Sequence, residues 1–141
     1  MRLIPVRDNL KAYDVLYELL AERPRIAWIS HGVMPSRAEH DRFVTSHPYL
    51  HWYLIEADWI YVGAIEANDR NEIGIAILER YQHNGYGAEA FRRFREMHRP
   101  LPAVKAVRSG HWLANIATGN EGSKVFFGKL GFKKVQETWQ L

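Results

Sequence analysis

The stretch from Ile75 to Ala88 reads Ile-Ala-Ile-Leu-Glu-Arg-Tyr-Gln-His-Asn-Gly-Tyr-Gly-Ala and joins an apolar strand pattern to an amphipathic helix pattern through Gln-x-x-Gly-x-Gly. Backbone N–H groups and the positive end of a helix dipole converge at such a junction, and glycine lets an anion approach closely. The stretch therefore predicts a pyrophosphate-binding loop from Gln82 to Ala88. A turn that needs glycine for backbone geometry alone is an equal alternative for this segment taken by itself.

Periodicity on both sides of this junction predicts an α/β (α+β) fold with a mixed sheet and helices on its faces. The predicted element order is β-α-α-β-β-β-α-β-α-β. Strands are expected over residues 2–6, 51–57, 59–67, 72–79, 111–118 and 132–140, and helices over 10–20, 36–44, the segment before Pro100, and 121–129. Ser36 and Glu39 form a capping-box pattern at the second helix, and Gly131 suits a helix C-terminus. The apolar residues Ile26, Trp28 and Ile29 fit either an extended segment or a buried loop.

Composition limits the classes of protein to consider. The chain has 141 residues and a mass of 16.5 kDa, which fits one domain over residues 1–141, and 47% hydrophobic residues exclude disorder of the whole chain. A net charge of +3 suits an anionic ligand, but it is too small to indicate a nucleic-acid binder. The absence of cysteine excludes disulfides, cysteine nucleophiles and thiolate metal sites.

Neither a membrane segment nor a metal site is predicted. The longest apolar runs, such as residues 73–78, have strand length, and charged residues interrupt the opening where a signal peptide would begin. The seven histidines lack ligand spacing, since Pro48 separates His47 from His51 and argues against a shared helix. The sequence therefore predicts a cytoplasmic protein with no membrane partner and no bound metal.

A second stretch runs from Leu113 to Phe132 and contains Asn120, Ser123, Phe127 and the sequence Lys129-Leu-Gly-Phe. Together with the glycine loop, it resembles the GCN5-related N-acetyltransferase (GNAT) family. That family pairs a Gln/Arg-x-x-Gly-x-Gly/Ala loop with a downstream strand, an Asn, a short helix and a Lys-x-Gly-Phe ending. Both motifs occur here in the family's order.

The resemblance implies a single acyltransferase domain with a sheet of six to seven strands and about four helices. It also implies direct transfer of an acetyl group from acetyl-CoA to a primary amine in a ternary complex. Ile75 and Ile77 match the strand whose backbone meets the pantetheine arm. The residues that match the pyrophosphate loop and the last helix are Gln82, His83, Asn84, Gly85, Tyr86, Gly87, Ala88, Asn120, Ser123 and Phe127. Helical spacing places the last three on one stripe and assigns Phe126 and Leu130 to the core.

The sequence departs from the family pattern in two places. Phe127 stands where many members carry the tyrosine that protonates the leaving thiolate, so water or one of Tyr53, Tyr81 and Tyr86 would take that role. In addition, only residues 132–140 remain for a terminal hairpin, so the family's last strand is missing. Either the sheet closes with one strand fewer, or a neighbouring subunit of a homodimer fills the gap.

An acceptor amine with a pKa near 10 must lose a proton before it attacks a thioester, which calls for a base. Glu72 is the first candidate, because it precedes Gly74 and Ala76 on one predicted strand face, where small residues leave room for a substrate. Glu56, Glu66 and His111 are the alternatives. For each of them an exposed or ion-paired structural role is the competing interpretation.

The acceptor is expected to be a small-molecule amine, such as an amino sugar. A protein or peptide amine, or an amine on a modified nucleic-acid base, remains an alternative acceptor. Aromatic residues on the predicted strands, among them Tyr49 and Trp52, either pack the core, which is the more common fate, or line an acceptor pocket. A non-catalytic acyl-CoA-binding or nucleic-acid-binding module is the alternative of a different class.

Overall fold

A four-stranded antiparallel sheet in the order β1-β2-β3-β4 forms the centre of the protein. The computed structural model describes residues 1–24, 27 and 33–141, so the open interpretation of Ile26, Trp28 and Ile29 lies outside the described residues. The strands are β1 (Arg2–Pro5), β2 (His51–Ala57), β3 (Ile60–Ala67) and β4 (Ile73–Ile77), and the helices are α1 (Lys11–Glu22), α2 (Arg37–Thr45), α3 (Tyr86–Met97) and α4 (Glu121–Lys129). A short 3-10 turn over Glu79–Tyr81 follows β4. The α/β class and the early element order are as predicted.

Helices cover both faces of this sheet. Ile55, Ile65 and Ile73 pack with Phe91 and Phe94 of α3 on one face. On the other face, the buried side chains come from β2, β3, α1 and α2 and include Leu16, Leu19, Val44, Leu54 and Ala64. Alternate strand residues point to opposite faces, so the period-two pattern of β2 and β3 supplies both cores at once.

Two helix ends follow the predicted capping chemistry. The Ser36 amide donates to Glu39 Oε2 at 2.7 Å, and the Glu39 amide donates to Ser36 Oγ at 3.3 Å, which completes a capping box at α2. Gly131 follows α4 with φ of 91°, and the Phe132 amide donates back to the Phe127 carbonyl at 3.0 Å. Among the described helices, none has the length and apolar character needed to cross a bilayer.

The predicted strand over residues 111–118 is wrong as a strand. It makes one parallel bridge, between Glu72 and Leu113, and no ladder beyond it in the described part of the chain. Trp112, Ala114 and Ile116 still alternate into the core, which explains the period-two sequence pattern. The side chains are held by packing while the backbone leaves the sheet, so hydrophobic periodicity alone cannot distinguish this segment from a strand.

The predicted strand over residues 132–140 is also absent. After Phe132, which packs on Phe91 and Phe127, the residues are exposed, including Val135 and Trp139. Strand formation requires a hydrogen-bonding neighbour, and no described segment forms a ladder with these residues. The described sheet therefore has four strands instead of the six to seven expected.

Asn71 joins the start of β4 to two distant segments. Its side chain is 1% exposed, donates to the Leu101 carbonyl at 2.9 Å and accepts from the Leu101 amide at 2.8 Å. Its own carbonyl accepts from the Leu113 amide at 2.9 Å, and its φ is 62°. A single residue thus fixes where the chain returns to the sheet after α3.

Two stacked histidines lie on the α3 face of the sheet. The ring centroids of His51 and His98 are 3.7 Å apart at an angle of 23°, and the Tyr53 hydroxyl lies 2.8 Å from His98 Nε2. Burial lowers the pKa of both imidazoles, and the charge of His51 lowers the pKa of His98 further. Across the described ranges, no group of three or more His, Asp or Glu side chains is placed to hold a metal ion.

Replacing Asn71 should destabilise the fold, because it leaves the amide and carbonyl of Leu101 without partners. We expect Asn71→Gly to lose about 2–4 kcal/mol in urea unfolding, as for two buried hydrogen bonds. Asn71→Ala should lose more, since alanine at positive φ adds strain of about 1 kcal/mol. Equal stability of wild type and Asn71→Gly would show that these hydrogen bonds do not hold the junction.

The stacked histidines should make the protein sensitive to acid. Because their pKa values in the folded state lie below those of the unfolded chain, the unfolded state binds more protons as the pH falls through about 6.5. The Tm of the wild type should therefore drop between pH 7 and pH 5 by more than that of His51→Gln. Replacement of the exposed His111 by Gln serves as the control, and this variant should follow the wild-type curve. Identical curves for all three proteins would show that the stacked histidines do not cause the sensitivity to acid.

Candidate active site

The outer edge of β4 carries backbone groups that face away from β3. Leu78 donates to a carbonyl of β3 at 2.9 Å, whereas Ile73 donates in the opposite direction, to Leu113, at 2.8 Å. Alternate residues of an antiparallel strand direct their backbone groups to the same edge. Ile75 and Ile77 therefore share the orientation of Ile73 and point to the outer edge.

This edge is open for most of its length. The Ile77 carbonyl accepts from Gln82 Nε2 at 3.0 Å, but within the described residues the amide and carbonyl of Ile75 have no hydrogen-bond partner. An extended chain with amide groups fits such an edge as a further strand would. Both isoleucines that the sequence singled out thus lie where a ligand could pair with backbone.

The loop after β4 turns back sharply toward this edge. His83 has φ of 63° and Gly85 has φ of 79°. The Asn84 side-chain amide donates to the carbonyls of Tyr81 and Gln82 at 3.2 and 3.0 Å, which fixes the turn from inside. A Cβ built on Gly85 would meet no atom within 4 Å, so the space beside it is open to a ligand.

Helix α3 begins directly behind this loop. Its first backbone bond runs from the Glu89 amide to the Gly85 carbonyl at 3.1 Å, so in the described structure the amides of Tyr86, Gly87 and Ala88 have no acceptor. These amides and the positive end of the helix dipole provide a site for a phosphate group. The residues of the predicted pyrophosphate loop are therefore brought together.

Helix α4 packs against the start of α3. The Asn120 side chain caps α4 by accepting from the Ser123 amide at 3.1 Å, so these two predicted site residues also have a structural role. Phe126 lies against Gly87, where an added Cβ would be 3.1 Å from its ring, and Phe127 is 7% exposed in the core. Phe126 and Leu130 pack against the core as helical spacing predicts, but Phe127 is more deeply buried than expected, because Phe132 folds back and packs on it.

The predicted catalytic carboxylate, Glu72, lies in the turn before β4. Its Oε2 accepts from the Asn68 side-chain amide at 2.6 Å, and its own amide donates to Asn68 Oδ1 at 3.0 Å. Of the alternatives, Glu56 is buried and pairs with Arg2 at 2.6 Å, and His111 is exposed. Both of these have ordinary structural surroundings.

Glu66, which the sequence analysis gave only as an alternative base, has surroundings that the sequence did not predict. It pairs with Trp52 on β2 and with Gly74 on β4, so the three residues lie side by side across the sheet. A Cβ built on Gly74 would lie 2.1 Å from Glu66 Oε1, so the carboxylate occupies the space above Gly74. Burial raises the pKa of Glu66 to about 7, partly opposed by the positive charge of Arg23. The sequence feature that could have identified Glu66 is Gly74, because it leaves room for a carboxylate. Strand periodicity placed that room beside Glu72 instead.

Tyrosines named as proton donors lie in two places. The Tyr53 hydroxyl is bonded to His98 on the α3 face, and burial raises its pKa. Tyr81 and Tyr86 flank the loop, at the end of the 3-10 turn and at the first residue of α3. The latter two are therefore next to the predicted pyrophosphate loop along the chain.

Solved structures share this fold at low sequence identity. An acetyltransferase from Thermus thermophilus is 20% identical, with a TM-score of 0.70, over 96% of this chain and 88% of that one. The aminoglycoside antibiotic 6′-N-acetyltransferase AAC(6′)-IG from Acinetobacter haemolyticus is 17% identical, with a TM-score of 0.66, over 100% and 97% of the two chains. The protein yncA from Salmonella typhimurium, solved with its cofactor acetyl-CoA, is 16% identical, with a TM-score of 0.60, over 93% and 77%.

No curated protein sequence matches the chain. Structural likeness at these identities establishes the fold, whereas membership of a family requires agreement along the sequence. That agreement is given by the family model described as an acetyltransferase (GNAT) domain, which matches residues 1–133. The chain therefore belongs to the GNAT acetyltransferase family.

Proposed function

We propose that the protein is an acetyl-CoA-dependent N-acetyltransferase that transfers the acetyl group directly to a primary amine. The observation that carries the proposal is the open outer edge of β4, which leads into a loop and a helix N-terminus with unbonded amides among the described residues. Membership of the GNAT family supports the same activity. Direct transfer is consistent with the absence of cysteine, which leaves no thiol to carry the acetyl group.

The chain offers a suitable group for each part of the donor. The backbone of Ile75 and Ile77 would pair with the amides of the pantetheine arm. The loop would hold the pyrophosphate through the residues Gln82, His83, Asn84, Gly85, Tyr86, Gly87 and Ala88. On α4, Asn120 Nδ2 and the Ser123 hydroxyl have no bonded partner among the described residues and would reach the donor, with Phe127 supporting them from the core.

Acetyl-CoA supplies an acetyl group activated as a thioester. The protein has to bind it in extended form along β4, exclude water and remove a proton from the acceptor, because an alkylamine with a pKa near 10 is protonated at neutral pH. The sequence offers Glu72, directly before β4, as one candidate for this base, with Glu66 among the alternatives. Because Phe127 carries no hydroxyl, the departing sulfur would take its proton from water, Tyr81 or Tyr86.

The acceptor is proposed to be a small amine such as an amino sugar. One of the similar structures is an aminoglycoside antibiotic 6′-N-acetyltransferase by name, and another, AAC(6′)-Iy, was solved with the bisubstrate analogue CoA-S-monomethyl-acetylneamine. The test is the release of free thiol from acetyl-CoA in the presence of such amines. The same assay with a protein or peptide amine, or with an amine of a modified nucleic-acid base, would reveal those alternative acceptors. Binding of acetyl-CoA without thiol release in the presence of any of these acceptors would favour a non-catalytic acyl-CoA-binding module.

Substitution of Gly85 tests the donor site. Valine strongly disfavours a φ of 79° and would project into the open space beside the loop. We expect Gly85→Val to weaken acetyl-CoA binding at least tenfold in calorimetry, which corresponds to ~1.4 kcal/mol. Gly131→Val is the matched control, because Gly131 has φ of 91° and open space but lies beyond α4.

The control variant should lose thermal stability to a similar extent and keep its affinity. If both variants bind acetyl-CoA as the wild type does, the loop is not the donor site. If both lose affinity in parallel with stability, the effect belongs to folding instead of to the loop.

A further inference from the structure

The carboxylate of Glu66 reaches from β3 across β4. Its Oε1 lies so close to Gly74 that a Cβ there would be 2.1 Å away, and Gly74 is flanked by Ile73 and Ile75 of the open edge. Any side chain at position 74 would displace the carboxylate. The glycine therefore gives an acid on an inner strand access to the edge strand.

Gly74 lies at one end of the open edge of β4, along which the donor would extend. The phosphate-binding loop follows Ile77, and Leu113 closes the outer edge of β4 beside Ile73. A donor whose phosphates occupy the loop and whose arm extends along β4 must point its far end toward Ile73. Glu66 is thus beside the end that carries the acetyl group, whereas the loop is at the opposite end.

Three aromatic side chains stand on the same side of the sheet as Glu66, and we call them the aromatic cluster: Phe43, Tyr49 and Trp52. The Tyr49 and Trp52 ring centroids are 5.0 Å apart, and those of Phe43 and Trp52 are 5.9 Å apart, both edge to face. Trp52 is the direct cross-strand neighbour of Glu66. The carboxylate is therefore bordered by rings on one side and by the donor edge on the other.

Two charged or titratable side chains of the described residues interact with Glu66, namely Arg23 and Tyr49. Arg23 acts on Glu66 as a positive charge. Burial raises the pKa of Tyr49 to about 12, and the negative charge of Glu66 makes a smaller contribution in the same direction. Tyr49 is therefore a neutral hydroxyl at physiological pH. Within the described part of the chain, no hydrogen bond engages the Glu66 carboxylate, in contrast to those of Glu56 and Glu72, so its oxygens keep their acceptor capacity for a ligand.

We propose that Glu66 binds the ammonium group of the acceptor and takes its proton, while the aromatic cluster holds the ring-shaped body of that amine. This inference rests on the proposed acetyltransferase function and names its acceptor class, a primary amine with a single positive charge and a ring-shaped body. Ring faces favour a cation and the apolar faces of a ring, and the single Glu66 carboxylate offers an acceptor to one ammonium group.

The proton and electron balance is complete with the donor and acceptor alone. The ammonium gives one proton to the Glu66 carboxylate, and the nitrogen lone pair forms the C–N bond to the acetyl carbon as the C–S bond breaks. The electron pair of the C–S bond leaves on sulfur. The second proton of the nitrogen is released, and together the two protons supply the thiol and one H⁺ to solvent.

The surroundings of Glu66 suit this role. A carboxyl group whose pKa is raised to about 7 by burial accepts a proton from an amine more readily than an exposed one does. It still exists largely as the carboxylate at pH 7.5 and above. Glu72, in contrast, already accepts a hydrogen bond from the Asn68 side chain.

The first experiment needs no turnover. In protein labelled with ¹³C at the glutamate carboxyls and free of acetyl-CoA, the Glu66 signal, assigned by Glu66→Gln, should titrate well above the ordinary range. Addition of glucosamine or benzylamine should shift that signal and the Trp52 indole signal, whereas neutral N-acetylglucosamine should not. Titration of Glu66 at the ordinary pKa together with no response to either amine overturns the proposal.

The second experiment compares three isosteric variants across pH 6–9 with an amine that the wild type acetylates. Glu66→Gln should lower kcat/KM at pH 7.5 by ~100-fold or more and abolish the acidic limb of the profile near the pKa of Glu66. Glu56→Gln removes a buried, ion-paired acid of the same sheet and should lower Tm while keeping that limb. Loss of the limb in Glu72→Gln and its retention in Glu66→Gln would assign the base to Glu72 and overturn the proposal.

Calorimetry with acetyl-CoA distinguishes a failure of the proposed function from a failure of the role of Glu66. If the wild type fails to bind acetyl-CoA, the proposed function falls, whatever Glu66 does. If the wild type and Glu66→Gln bind acetyl-CoA equally and turn over equally, only the role of Glu66 falls. A Glu66→Gln protein that melts early but keeps the acidic limb likewise makes Glu66 a structural residue.

Discussion

Backbone pairing on the outer edge of β4 stops after a single residue, and the candidate site depends on that interruption. Among the described residues, the chain that returns from α3 forms backbone hydrogen bonds with this edge only at Leu113, where bonds of 2.8 and 2.9 Å join it to Ile73 and Asn71. Had pairing continued, the backbone of Ile75 would be satisfied within the protein. An unpaired edge is normally a liability for a sheet, because it can recruit other strands. Here it provides a place for an extended ligand that carries amides.

Several local features leave this edge accessible and direct the amides of α3 toward the same space. Asn71 anchors the returning segment at the near end, while Gln82 covers the Ile77 carbonyl at the far end. Beyond Gln82, positive φ angles at His83 and Gly85 turn the chain so that α3 presents its first amides to the same space. Hydrogen bonds to a charged phosphate contribute about 1.5–3 kcal/mol each, so a few such amides suffice to hold the anionic end of a donor.

Much of this arrangement could be predicted from the sequence because it is encoded locally. The capping box of Ser36 and Glu39, the limits of α4 and the loop from Gln82 to Ala88 depend on residues within one or two turns of each other. The resemblance to the GNAT family added the expectation that Ile75 and Ile77 face a donor, and the structure gives their backbone the orientation this requires.

The remaining features depend on partners distant in sequence. Residues 111–118 alternate as a strand does, yet they lack a ladder, because periodicity reports burial and not hydrogen bonding. Periodicity placed Gly74 beside Glu72 along one strand, whereas the register places Gly74 beside Glu66 of the neighbouring strand. Likewise, helical spacing defined the stripes of α4, but the packing of Phe132 decided that Phe127 is the buried one.

Amide hydrogen exchange at β4 tests most directly whether the open edge is the donor site. In the free protein, the amides of Ile75 and Ile77 should exchange fast, while those of Gly74 and Ala76, which face β3, should be protected. Saturating acetyl-CoA should slow exchange at Ile75 strongly and leave Gly74 and Ala76 nearly unchanged. Exchange at Ile75 that stays fast in protein saturated with acetyl-CoA would contradict the account, because the donor would then bind elsewhere.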